Sequence, residues 1–152
     1  MRAKWIALVI VVAAFVAPGQ VVAQRAKWAD IPAEFMELRE QSVQRVEKIP
    51  MDDFKKATAG NPSGEFLLID VRPEASYKKG HLPGAVSMPR GLLELKIIRA
   101  GKDKSFPIYV YCLSGLWTPM AQDTLQQMGY TNVIGMQEGF MDWVKAGNTV
   151  ER

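Results

Sequence analysis

The sequence predicts an α/β domain with a mostly parallel central sheet and helices on both of its faces. Three observations predict it. Apolar runs of strand length at 65–71, 84–89, 107–112 and 131–136 alternate with stretches of helical periodicity, the pattern of successive strand–helix–strand units. The runs EFLLIDV (65–71) and PIYVYC (107–112) are apolar in succession instead of at every second position, as expected of strands covered on both faces. The chain also has no internal repeat and no low-complexity tract, and its length suits a single core.

The first 23 residues stand apart. Arg2 and Lys4 precede the apolar run WIALVIVVAAFVA (5–17), Pro18 and Gly19 interrupt it, and VVA (21–23) ends just before Gln24. That is the layout of a cleaved secretory signal peptide, and the run is too short for an ordinary membrane span. The expectation is an exported protein, soluble in the periplasm after cleavage, touching a membrane only if the leader is kept as an anchor. Residues 24–46 are read as a tether and an N-terminal amphipathic helix, and residues 47–152 as the domain proper.

The helical pattern runs from Asp30 to Ile49. Ile31, Phe35, Leu38, Val46 and Ile49 take one side, and Glu34, Glu37, Glu40, Gln41, Gln44 and Glu47 the other. Asp30 is the expected N-cap, with Pro32 in the first turn. Packing on the following domain is the simpler role for this helix, and docking of a protein partner the second. Beyond Pro50, MDDFKKATAG predicts a helix closed by Gly60, and NPSG a turn into the first strand (65–71). PEASYKKG predicts a short helix, GAVSMP (84–89) a second strand and GLLELKIIRAG (91–101) another helix. PIYVYC (107–112) is the third strand, TPMAQDTLQQMG (118–129) a helix, TNVIGM (131–136) the fourth strand and EGFMDWVKAG (138–147) the last helix.

Composition narrows the function. The chain has 19 basic and 16 acidic residues, and two of the basic ones lie in the leader, so the remainder is almost balanced. No Lys/Arg stripe with interleaved aromatics is present, which argues against nucleic acid as a partner. A single cysteine forms no internal disulfide, and one Cys with one distant His does not make a tetrahedral zinc site. The eight methionines are scattered and read as core filler, so no metal or other cofactor is expected.

That single cysteine, Cys112, closes a strand, and ligands of open α/β sheets bind at the carboxyl ends of strands. It is followed by LSGLW and then by Thr118-Pro119, read as an N-cap and a first helical residue. A short loop with a glycine free to take unusual dihedrals turns its N–H groups inward as an anion nest, and the helix N-terminus adds partial positive charge. Such a cup favours a thiolate, the nucleophilic form of cysteine, and equally a persulfide anion.

The residues at this point resemble a known family. FLLIDVRPEASYKKGHLPGAVSMP is similar to the first signature of rhodanese domains, a strand ending in Asp-x-Arg followed by Gly-His-x-Pro-Gly-Ala. YVYCLSGLWTPMAQDTLQQMGYTNVIGMQEGFMDW is similar to the second, with a cysteine closing the central strand, a six-residue loop and a later Gly-Phe-x-x-Trp. The resemblance covers residues 47–147 and implies a single-domain rhodanese-like fold. It implies a sulfurtransferase that moves a sulfane sulfur from a small donor to a thiol or cyanide through a persulfide on Cys112, without cofactor or metal. It makes Cys112 the nucleophile and the backbone of Leu113, Ser114, Gly115, Leu116 and Trp117 the cradle. Asp70, Arg72, His81 and Thr118 become structural support.

The sequence departs from the family at Trp117, where many active members carry arginine. Indole has one N–H and no charge, so a dianionic donor such as thiosulfate loses a charge-assisted contact worth about 1–3 kcal/mol. Arg90 is the candidate to compensate. The expectation is poor thiosulfate activity and better use of organic persulfides or polysulfides. The alternative is a catalytically weak or inactive binding or sensing module. A cysteine phosphatase fits less well, because phosphate binding needs Arg after five intervening residues and position 118 is Thr.

Overall fold

The computed structural model describes residues 31–60 and 64–152, so the leader, the tether and the proposed cap Asp30 lie outside the described residues. The elements that follow are α1 (Ala33–Val43), β1 (Lys48–Ile49), α2 (Met51–Ala57), β2 (Leu67–Asp70), α3 (Glu74–Tyr77) and β3 (Val86–Ser87). A 3₁₀ turn (Arg90–Leu92) then leads into α4 (Leu93–Arg99), β4 (Ile108–Tyr111), α5 (Thr118–Gln127), β5 (Val133–Met136) and α6 (Phe140–Lys145). The five strands form one sheet in the order β1-β5-β4-β2-β3, and every neighbouring pair is parallel. The predicted fold class is therefore the observed one, with β4 at the centre.

Strand alternation sorts the core into two layers. Ile69 of β2 with Val71 just after it, and Ile108 and Val110 of β4 with Cys112 just after it, face one side, meeting Leu93 and Ile97 of α4 and Ala121 and Leu125 of α5. Leu68 and Tyr111 face the other side, with Phe54 of α2 and Trp143 of α6. Both strand faces are covered, which is why the sequence runs are apolar in succession. At Gly135 of β5 an added Cβ would lie 2.9 Å from Cγ2 of Thr118, so the glycine lets α5 lie flat against the strand.

The N-terminal helix differs from its prediction in two ways. It ends at Val43, and Lys48–Ile49 instead pair with Gly135–Met136 as the edge strand. Pro50 follows directly, so this strand is too short to show a period. Its contact side is also only partly apolar: Phe35 is half-buried, but Leu38 is 54% exposed, whereas Ser42 is buried. Ser42 donates to Oδ2 of Asp123 at 3.1 Å, and Arg45 donates to both carboxylate oxygens at 3.0 and 2.6 Å. A clamp of hydrogen bonds onto α5 shares the work expected of the apolar stripe.

Candidate active site

Cys112 is the residue after β4, and its side chain falls on the α4/α5 side with Val110, 1% exposed. The chain then curls back on itself, and the N–H of Trp117 donates to Sγ at 3.4 Å. The turn depends on Gly115, which sits at φ +74°, a left-handed conformation that glycine adopts without strain. Trp117 is itself the N-cap of α5, at φ −88° and ψ −16°, and Pro119 lies in the first turn. Thr118 is therefore not the cap the sequence suggested. The loop reaches near-helical dihedrals one residue earlier, and this carries the Thr118 hydroxyl inside, fully buried and without a hydrogen-bond partner.

One flank of the loop is held by backbone. A Cβ on Gly115 would collide with the carbonyl oxygen of Gln137 and lie 2.9 Å from that of Glu138. A Cβ on Gly139 would collide with the backbone of Leu113 and Ser114. The first amides of α6 complete the seam: Phe140 N–H donates to Cys112 O at 2.9 Å and Met141 N–H to Leu113 O at 3.0 Å.

Behind that seam lies a buried ion pair. Arg72 donates to Asp70 Oδ2 through Nη2 at 2.6 Å, and its own amide donates to Oδ1 at 2.9 Å. The same Nη2 reaches the carbonyl of Gly80 at 2.7 Å, and the guanidinium lies 3.8 Å from the ring centroid of Phe140. Tyr111 donates its hydroxyl to Asp70 Oδ2 at 2.8 Å and accepts from Leu82 N–H. Burial, and then the Asp70 charge, push the Tyr111 hydroxyl well above an ordinary phenol, which keeps it a donor. Asp70 and Arg72 thus reach the cysteine loop through Phe140, whose amide holds the Cys112 carbonyl.

The other flank is side-chain work. Trp117 is 43% exposed, and its ring meets Phe35 of α1 edge to face, with centroids 5.0 Å apart. Leu113 is also exposed, while Ser114 and Leu116 are half-buried. Arg90 is committed elsewhere, donating to Glu94 at 3.1 Å and to Thr124 Oγ1 at 2.7 Å, so it ties α4 to α5. His81 stacks on Tyr77 at 3.8 Å, with Nδ1 3.1 Å from the Tyr77 carbonyl, and bridges to Glu151 near the C-terminus. The structure therefore gathers Cys112 to Trp117 in one loop, links Asp70 and Arg72 to it, and places Arg90 and His81 in other contacts. Sequence reasoning missed Tyr111, Gly139, Phe35 and Asp123. The Gly-Phe-x-x-Trp pattern carried a signal for Gly139 alone.

Comparison with known proteins agrees with this geometry. Residues 51–146 match the rhodanese-like domain model, and the chain belongs to that family. It is 30% identical to a sulfurtransferase of Allochromatium vinosum, in an alignment covering 55% of this chain and 76% of that protein. It is 37% identical to the thiosulfate sulfurtransferase PspE of Escherichia coli over 43% of this chain and 62% of that protein. Across five such curated relatives the matched part spans between 39% and 76% of their length. Among solved structures, a Rhodopseudomonas palustris protein described as a possible tyrosine phosphatase superposes with a TM-score of 0.69 at 25% identity. That match covers 80% of this chain and 96% of that one.

Proposed function

We propose that the protein is a sulfurtransferase that carries sulfur on Cys112. The observation that carries this reading is the cysteine itself, fixed at the end of the central strand with a loop amide on Sγ, in a member of a family that includes sulfurtransferases. In the first step the thiolate attacks the outer sulfur of a donor such as an organic persulfide. The donor's S–S bond breaks, and its thiolate leaves with the electron pair. In the second step a thiol or cyanide acceptor attacks the outer sulfur of the Cys112 persulfide and releases the Cys112 thiolate. Neither step needs a cofactor, because the sulfane sulfur arrives and departs at one oxidation level. The Trp117 amide donates toward Sγ, the atom that attacks in the first step and leaves in the second.

Trp117 in place of a cation makes thiosulfate a poor donor within this reading, since Arg90 is paired with Glu94. Phosphate ester hydrolysis is disfavoured because position 118, where a phosphate-binding arginine would stand, is a fully buried threonine. The leader-like first 23 residues favour action in the periplasm, and N-terminal sequencing of the native protein should then begin near Gln24. The direct test is intact-mass analysis after incubation with glutathione persulfide. Wild type should gain one sulfur atom, removable by cyanide, and Cys112→Ser should gain none. A wild-type mass that no donor changes would replace sulfur transfer with a binding module.

A further inference from the structure

We propose that Phe35 of α1 is a specificity-determining residue of the Cys112 site. Together with Trp117 it makes an aromatic wall that selects sulfur compounds with a planar, apolar body. The assignment rests on the sulfur-transfer reading for its substrate and on geometry for its residues.

The residue that places its amide 3.4 Å from Sγ is the residue whose indole meets Phe35. An edge-to-face contact at 5.0 Å is a favourable geometry for an aromatic pair, so it restrains the indole of the residue whose amide meets the sulfur. The restraint has its own anchor. Seven residues beyond Phe35, Ser42 bonds Asp123 of α5, and Arg45 grips the same carboxylate through two nitrogens. Asp123 stands six residues beyond Trp117, so α1 is fastened to α5 two turns away from the aromatic contact.

The surface beside the sulfur has a consistent chemistry. Three of the five residues after Cys112 are Leu113, Leu116 and Trp117, and Leu113 and Trp117 remain 44% and 43% exposed. Three guanidinium groups are ion-paired, Arg45 with Asp123, Arg72 with Asp70 and Arg90 with Glu94, whereas Arg39, four residues after Phe35, has a buried Nε without a hydrogen-bond partner. The exposed surface of Leu113 and Trp117 on this flank is aromatic and aliphatic, and such surface binds planar apolar groups. Phe35 lies outside residues 51–146, the segment that matches the family model, so the N-terminal helix supplies this part of the wall.

The test reads selectivity at Cys112 without requiring turnover. Because the chain has one cysteine, alkylation reports that site alone. The rate constants for N-benzyl-iodoacetamide and for iodoacetate are measured on wild type, Phe35→Ala and Phe35→Tyr. The ratio of benzyl to carboxylate reagent should fall about three- to tenfold in Phe35→Ala and recover in Phe35→Tyr, as expected of one aromatic contact. Simple loosening of α1 would raise both rates together. A ratio that does not move, with or without such a common rise, overturns the assignment. A parallel assay with benzyl persulfide and thiosulfate should show Phe35→Ala raising KM for the organic donor while kcat is kept. If the alkylation ratio responds but wild type turns over no donor, the sulfur-transfer reading fails and the aromatic wall stands. If turnover is normal and the ratio ignores Phe35, the reverse holds.

Discussion

The two flanks of the Cys112 loop are built from different materials. Toward α6 the contact is backbone on backbone. Glycines at 115 and 139 leave no room for a side chain, and two amides of α6 hold the carbonyls of Cys112 and Leu113. Toward α1 the contact is side chain on side chain, an aromatic pair at the loop end and a hydrogen-bonded carboxylate two turns away. Backbone contacts are the same whatever residues evolution supplies, provided the glycines stay. Side-chain contacts change with each substitution. The first flank therefore sets where the sulfur is, and the second sets what may approach it.

Disturbing the backbone flank should have the largest effect. Arg72→Met leaves the fully buried Asp70 carboxylate without its cation and removes the guanidinium stacked on Phe140. The expected cost is about 3–5 kcal/mol, read as a fall in the denaturation midpoint with an unchanged slope. A change below about 1 kcal/mol would mean that the pair does not support the seam. Gly115→Ala comes next, because it meets both an unfavourable positive φ and the Gln137 carbonyl. Overpacking of this kind costs about 1–3 kcal/mol. The misplaced sulfur should also slow persulfide formation by as much as about a hundredfold. Full activity in a stable Gly115→Ala protein would show that the loop has slack the structure does not display.

On the side-chain flank the effects are smaller and depend on pH. Arg45→Ala should lower the denaturation midpoint only slightly, since the Arg45 side chain is 52% exposed and screened by solvent. The hydrogen bonds from Arg45 hold the Asp123 carboxyl below its usual range, with Gln127 and Ser42 acting the same way against the opposing effect of burial. A depressed carboxylate contributes stability that is fully present above its unfolded value, near pH 4, and lost as pH falls through the lower folded value. Acid titration should release α1 in that window, and tryptophan emission should report the change at Trp117. An Asp123→Asn variant should lose this transition. If the transition stays in the variant, another group drives it.

Much of the fold was legible because burial on both faces writes itself into the sequence. Continuous apolar runs at 65–71 and 107–112 became the adjacent strands β2 and β4, trimmed at each end by hydrogen bonding that composition does not reveal. The two-residue β1 was invisible, because pairing with β5 rather than any period creates it. At the site, Cys112 was legible as a lone cysteine at a strand end, and the need for Gly115 followed from the tight loop. The cap was misplaced to Thr118 because residue preference favours threonine there, while the packing of the loop pulls Trp117 into the turn. Phe35 was legible only as part of an apolar helix side, and Asp123 not at all. Their importance comes from contacts with Trp117 and Arg45, 82 and 78 positions away, and no local pattern records such a distance.

The division between the flanks is tested most directly by giving the loop its cation. Trp117→Arg keeps the backbone seam and removes only the aromatic surface. Cyanide-dependent thiocyanate formation would be measured with thiosulfate and with benzyl persulfide on wild type and the variant. With Trp117→Arg, kcat/KM for thiosulfate should rise roughly tenfold or more while that for benzyl persulfide falls, reversing the preference without loss of Cys112 loading. A wild-type protein that already prefers thiosulfate, together with a Trp117→Arg variant that behaves identically, would contradict this division.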